Sequence, residues 1–201
     1  MQLSKVTSWG LILGGLLGAL GFLVIGIALG LTDDDIAPAD ELKAFQDNEL
    51  FLGVMVMLFV GVFTYMAKSL LQVAQAVKVP DEWYMYMRML VILMLAMLLA
   101  TMSMWMLVSE ETTVENYKTI GLVGDSIGGI STVALSFAIF ILTVFALKNG
   151  AGNQIFRALI AILSVSAVVD IIDLLGFIDI GDTPLGFITG SCGVSARSES
   201  A

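Results

Sequence analysis

Apolar residues fill long unbroken stretches of this chain, and nearly all charged residues lie in the short segments between them. The stretches cover residues 9–31, 50–67, 89–108, 119–147 and 154–178. Each approaches or exceeds the ~20 residues a helix needs to cross about 30 Å of hydrocarbon at about 1.5 Å per residue. The pattern predicts an all-α integral membrane helical bundle of four to five transmembrane helices within residues 1–178. The expected spans are 9–31, 50–78, 84–108, 119–147 and 154–178, followed by an irregular extracytoplasmic tail over 179–201, rich in Gly, Ser and Thr.

Local signals refine the boundaries. Beyond Met66, the residues Leu70, Leu71, Ala74 and Val77 share one helical face, with Lys68, Gln72 and Gln75 off it, so the second helix continues as an amphipathic extension. Pro80 stops it, because proline pushes the preceding Val79 out of the helical region. Trp83, Tyr84 and Tyr86 then form an interfacial anchor, with Trp9 and Trp105 at other span ends. Asn149-Gly150-Ala151-Gly152-Asn153 is a short turn that makes the fourth and fifth helices antiparallel neighbours. The longest connection, 32–49, is too short to bury a core and reads as a loop. The run from Trp9 to Leu31 exceeds the 7–15 residues of a signal-peptide core, so it is expected to stay as a mature helix.

Composition agrees. Hydrophobic residues make up 58% of the 201 and charged residues 13%, against about 25% charged in soluble domains. The net charge of −9 repels phosphate backbones, so no nucleic-acid partner is expected. Acids concentrate in two segments: Asp33, Asp34, Asp35, Asp40, Glu41, Asp47 and Glu49 in one, Glu110, Glu111 and Glu115 in the other. Lys5, Lys68, Lys78, Arg88, Lys148 and Arg157 fall on the opposite side, against Lys43, Lys118 and Arg197. The excess of cations on one side predicts a cytoplasmic N-terminus. With no Asn-x-Ser/Thr sequon, the expected location is a prokaryotic plasma (inner) membrane, multi-pass.

Histidine is absent, which removes the commonest general base and metal ligand. The single cysteine, Cys192, supports neither an internal disulfide nor a cysteine cluster. Catalytic, cofactor and metal sites are therefore expected to be none, and the chain is not expected to be an enzyme.

The candidate chemistry is intramembrane acid. Asp125, Asp170 and Asp173 fall inside expected spans, roughly 10–12 Å deep from the same side for the first two. Asp125, Gly129, Thr132, Ser136 and Thr143 form one small polar stripe, and Ser166, Asp170 and Asp173 another. Folding at Ala151 sets Asp170 opposite Thr132 and Asp173 opposite Gly129. Charge at such depth costs at least ~2.5–3.5 kcal/mol per residue on insertion scales, which marks Asp125, Thr132, Asp170 and Asp173 as a candidate ion or partner site. Carboxylates and hydroxyls suit a hard cation or a shared proton. The structural alternative is protonated or hydrogen-bonded acids, or acids neutralised by another subunit's Arg or Lys.

Gly10, Gly14, Gly18, Gly26 and Gly30 give the first span a face for close helix packing, with Gly15 and Gly21 alongside. Eight of the twelve methionines lie in or near the third span, among them the pairs Met85/Met89 and Met102/Met106. They read as adaptable packing residues rather than a copper site. Lys68 and Arg88 are expected to snorkel to the interface. The functional expectation is a non-catalytic accessory or scaffold subunit of a larger membrane complex, in contact with lipid and with other membrane subunits or its own copies. The rival is a small cation- or proton-coupled transporter or channel using the aspartates.

Overall fold

The computed structural model describes residues 5–31 and 36–151, and beyond them Gln154, Arg157, Ala158, Ala161, Val165, Val168, Val169 and Ile172, each of these eight helical. Five helices are described: α1 (Lys5–Leu29), α2 (Pro38–Asp47), α3 (Glu49–Val77), α4 (Asp81–Trp105) and α5 (Val114–Lys148). Three of them, α3, α4 and α5, are long and apolar enough to cross a membrane. The protein is an all-helical bundle with the character of a membrane protein.

Three helices end in the same way, and each ending is legible in its local chemistry. At α1, Gly30 takes a left-handed φ of 71°, which glycine does without a Cβ clash. The Leu31 N–H then donates to Gly26 O (2.7 Å) and the Gly30 N–H to Ile27 O (3.2 Å), the Schellman pattern. Gly150 (φ 60°) closes α5 through Ala151 N–H to Ala146 O at 2.9 Å. At α3 the left-handed position is held by Lys78 (φ 63°), a residue with a Cβ. The Asn149 side chain secures it, donating to Val77 O (2.8 Å) and Lys78 O (3.1 Å). Pro80 follows and caps α4.

Segment 36–48 is not the loop expected from its charges. It holds α2, with Pro38 in the first turn and Asp40 and Glu41 beside the positive helix end. Leu42 and Phe45, three residues apart, share its buried face. The α5 helix also starts earlier than expected, at Val114, where the Thr113 side chain accepts from the Asn116 N–H. In contrast, α4 stops at Trp105, short of the expected 108.

The helices pack in the order α1, α3, α4, α5. Thr7 Oγ1 donates to Gln72 Oε1 at 2.7 Å, Gly10 faces Ser69, Gly14 faces Met66 and Gly21 faces Phe59. Numbers rise on α1 as they fall on α3, so the pair is antiparallel. The α4–α5 pair is antiparallel too: Ser131 Oγ donates to Met94 O (2.9 Å) and Thr101 Oγ1 to Gly124 O (3.3 Å). Two apolar clusters stack along the bundle. One joins Val73, Val77, Met87, Val91, Met94, Ala138 and Ile141 near the α3–α4 turn. The other joins Ile25, Leu29, Leu42, Phe45, Val56, Phe59 and Met102 near α2. The end near the turn is the basic end below, and the end near α2 the acidic end.

The methionines divide by face. Met87 and Met94 are fully buried, two turns apart, whereas Met85, Met89 and Met106 are exposed. A large apolar surface points outward on α1 as well, from Val6 and Trp9 through Leu16, Leu20 and Leu23 to Ile27. In water that surface would be a liability; in hydrocarbon it is the solvated face.

Candidate functional site

Glycines set the spacing between α1 and α3. A Cβ at Gly10 would collide with Ser69 Oγ, and one at Gly14 would lie 2.5 Å from Met66 Cβ. Gly21 meets the Phe59 ring edge in the same way. Gly26 has only the Leu31 carbonyl nearby, at 3.5 Å, and Gly30 has nothing within 4 Å among the described residues. Gly30 therefore terminates α1 rather than packing it, and Gly21 stands where the four-residue spacing pointed to later glycines. The surroundings of Gly18 lie outside the described residues. Ser69 Oγ is fully buried and unpaired among the described residues; it faces the Gly10 backbone, where a weak Cα–H···O contact is its available partner.

Asp125 lies on α5, one residue past the Gly124 carbonyl that Thr101 contacts. Thr101 is one turn inside Trp105, so Asp125 sits about 6–8 Å below that tryptophan's level at about 1.5 Å per residue. Asp125 and Thr132 are exposed, while Ser136 and Thr143 on the same stripe are buried. The stripe is thus open toward the acidic end and covered toward the basic end. Two of its hydroxyls bond back along the helix: Thr132 Oγ1 donates to Gly128 O (3.2 Å) and Thr143 Oγ1 to Ile139 O (2.9 Å). Asp170, Asp173 and Ser166 lie outside the described residues, so the expected meeting of three carboxyls is not part of the described geometry. Among the described residues, no group of three or more His, Cys, Asp or Glu is placed to hold a metal ion.

The acidic end carries residues that sequence reasoning missed. Phe45 of α2 packs edge-on against Trp105 and tilts against Tyr117, both with ring centroids 5.8 Å away. Gln46 Nε2 donates to Ser109 O at 2.7 Å, and Glu41 lies near Tyr117. Together these contacts clamp α2 across the ends of α4 and α5. The readable signal was the Leu42–Phe45 spacing behind Pro38, obscured by the charged Asp40, Glu41, Lys43 and Asp47 around it. Two grooves flank this lid. A shallow one, about 330 Å³, lies over Ser109, Glu111, Thr112 and Asn116. A larger one, about 480 Å³, runs between the start of α3 and the end of α4.

The basic end is tied by aromatic and amide contacts. Trp83 packs against Tyr86 and Phe145 (6.4 and 6.0 Å), and Lys148 Nζ sits 5.9 Å from the Phe145 ring centroid. Gln75 Nε2 donates to the Tyr84 hydroxyl at 3.0 Å. Trp83 and Trp105 thus mark opposite ends of α4, about 33 Å apart at about 1.5 Å per residue, which matches a hydrocarbon core bounded by aromatic belts. No protein-family model, curated protein or solved structure matches the chain.

Proposed function

We propose that this protein is a non-catalytic accessory or scaffold subunit of a larger membrane complex. The observation that carries the reading is Asp125. Its side chain is exposed, with the exposed apolar Leu122 one turn before it on the same face, inside the level of Trp105, and nothing among the described residues pairs with it. An outward carboxylate at that depth is favourable when a neighbouring subunit supplies a cation or a hydrogen-bond donor, with the insertion cost as the driving term. The outward apolar faces of α1 and α4 leave room for such neighbours beside lipid.

The topology proposed with it has five crossings: α1, α3, α4, α5 and the segment 154–178. The N-terminus is cytoplasmic and the membrane is a prokaryotic inner membrane. The support for this orientation is the cation distribution, with Lys68, Lys78, Arg88 and Lys148 on the basic-end side. Accessibility labelling of single cysteines at Asp40 and Lys148 tests it; label reaching position 40 only from the cytoplasm reverses the orientation.

Blue-native electrophoresis from native membrane in mild detergent tests the subunit reading. The expected result is a discrete assembly larger than the chain, weakened by Asp125→Lys. A chain that migrates alone, with no partner recovered, overturns it. The transport reading is separated by proteoliposome flux: cation-dependent flux abolished by Asp125→Asn and Asp170→Asn would replace the subunit reading with the transporter one.

A further inference from the structure

The larger groove at the acidic end has a polarity of its own. Leu52, Phe45 and Val108 form its buried floor, and Leu50, Val54, Met57 and Met106 form exposed walls. Gly53 keeps it open: the nearest side-chain atom to a Cβ there would be Met106 Cε, at 3.8 Å. The groove's volume, about 480 Å³, falls within the range of small-molecule sites, about 300–1,000 Å³. The one titratable residue lining it is Glu49, at the first turn of α3 and hence at the end nearest the membrane surface. Trp105 stands beside it at the aromatic-belt level, and Val54 and Met57 lie one to two turns deeper. From the surface inward, the groove therefore runs from carboxylate to aromatic to aliphatic.

That order matches one class of molecule in the same orientation: a membrane lipid with a cationic head. We propose that the groove seats a single phospholipid bearing a primary ammonium headgroup, with one acyl chain along Leu50, Val54, Met57 and Met106 and the ammonium at Glu49. Charge complementarity decides the head. Among the described residues, Asp40, Glu41, Asp47, Glu110, Glu111 and Glu115 crowd this end, with Lys43 and Lys118 the cations there. An anionic head meets net repulsion, whereas an ammonium donates charge-assisted hydrogen bonds to the Glu49 carboxylate. The inference rests on the membrane setting and not on the subunit reading, since a lone chain would hold the lipid equally well.

Native mass spectrometry of the full chain, released from nanodiscs of phosphatidylethanolamine and phosphatidylglycerol in equal amounts with matched chains, tests it. The expected result is one bound lipid, with phosphatidylethanolamine favoured about tenfold, the scale of a hydrogen bond to a charged group. Glu49→Gln brings the two lipids near parity, and Gly53→Leu, which fills the groove, removes the bound lipid. Circular dichroism identifies variants that keep the wild-type helix content, and only those are read. Equal retention of both lipids by the wild type overturns the proposal. So does unchanged retention in Gly53→Leu, or a lipid-free dimer that Gly53→Leu dissolves.

Discussion

Replacing a glycine by alanine at two positions of this bundle is expected to move stability in opposite directions. Gly14 lies in α1 against α3, where an added Cβ would sit 2.5 Å from Met66 Cβ and 2.6 Å from Cγ. That is nearly an ångström short of the 3.4 Å at which ordinary contact begins. Met66 Cβ is fixed to its backbone, so a rotamer change does not relieve the clash and the helices must separate. Overpacking of this kind costs about 1–3 kcal/mol, against a helix-propensity gain of about 0.8–1 kcal/mol for Gly→Ala. The net expectation is a loss of up to about 2 kcal/mol, the difference between the two terms. Gly61 lies in α3 with nothing within 4 Å of an added Cβ. There only the propensity term acts, and Gly61→Ala should stabilise by about 0.5–1 kcal/mol.

The assay is unfolding in mixed micelles by increasing the fraction of harsh detergent. It is read as energy transfer between dyes on Val6→Cys and Lys68→Cys in a Cys192→Ser background. Val6 and Lys68 are both exposed, near the same end of the α1–α3 pair, so the signal reports separation of these two helices. If Gly14→Ala stabilises the pair as much as Gly61→Ala does, the close seam is not what holds α1, and the argument fails.

Three further outcomes follow from the same contacts. Lys78→Gly should stabilise by about 1 kcal/mol in thermal unfolding, since it removes the left-handed cost of a residue with a Cβ; a destabilised variant would show that strain at Lys78 is not stored. Phe45→Ala should cost about 3–5 kcal/mol if its burial is fully realised and expose segment 36–48 to limited proteolysis; an unchanged cleavage pattern would mean that α2 is not clamped by Trp105 and Tyr117. Ser131→Ala should cost only about 0.6 kcal/mol, the average for interhelical hydrogen bonds in a bilayer, and a loss above about 2 kcal/mol would point to a packing role beyond that bond.

Length of apolar run was the most readable property of the sequence, because backbone hydrogen bonding inside hydrocarbon admits few forms other than helices. The Pro80 stop and the turn at Asn149-Gly150 were readable for the same local reason: each changes what the backbone can do. The α2 helix was harder to see. A ten-residue helix carrying Asp40, Glu41, Lys43 and Asp47 has only Leu42 and Phe45 to mark its face, and its stability comes from Trp105 and Tyr117, which are distant in sequence. The glycine face was half legible. Spacing identified Gly10 and Gly14, but α1 carries glycines on several sides, and only the partner helix reveals that Gly21 meets Phe59 while Gly30 ends the helix. The carboxylate was found by its burial cost alone. That signal carries depth but no azimuth, so it could not tell an inward Asp125 from an outward one.

The attachment of α1 has a consequence for how the chain is made. It packs on α3, and α3 emerges from the ribosome only after α1 and α2. Until then α1 has no partner helix, and only its own i→i−4 backbone bonds hold it. When α3 arrives, the residues that meet are Thr7 with Gln72, Gly10 with Ser69, Gly14 with Met66 and Gly21 with Phe59. The seam then closes in one register, with the polar pair at one end serving as the alignment mark.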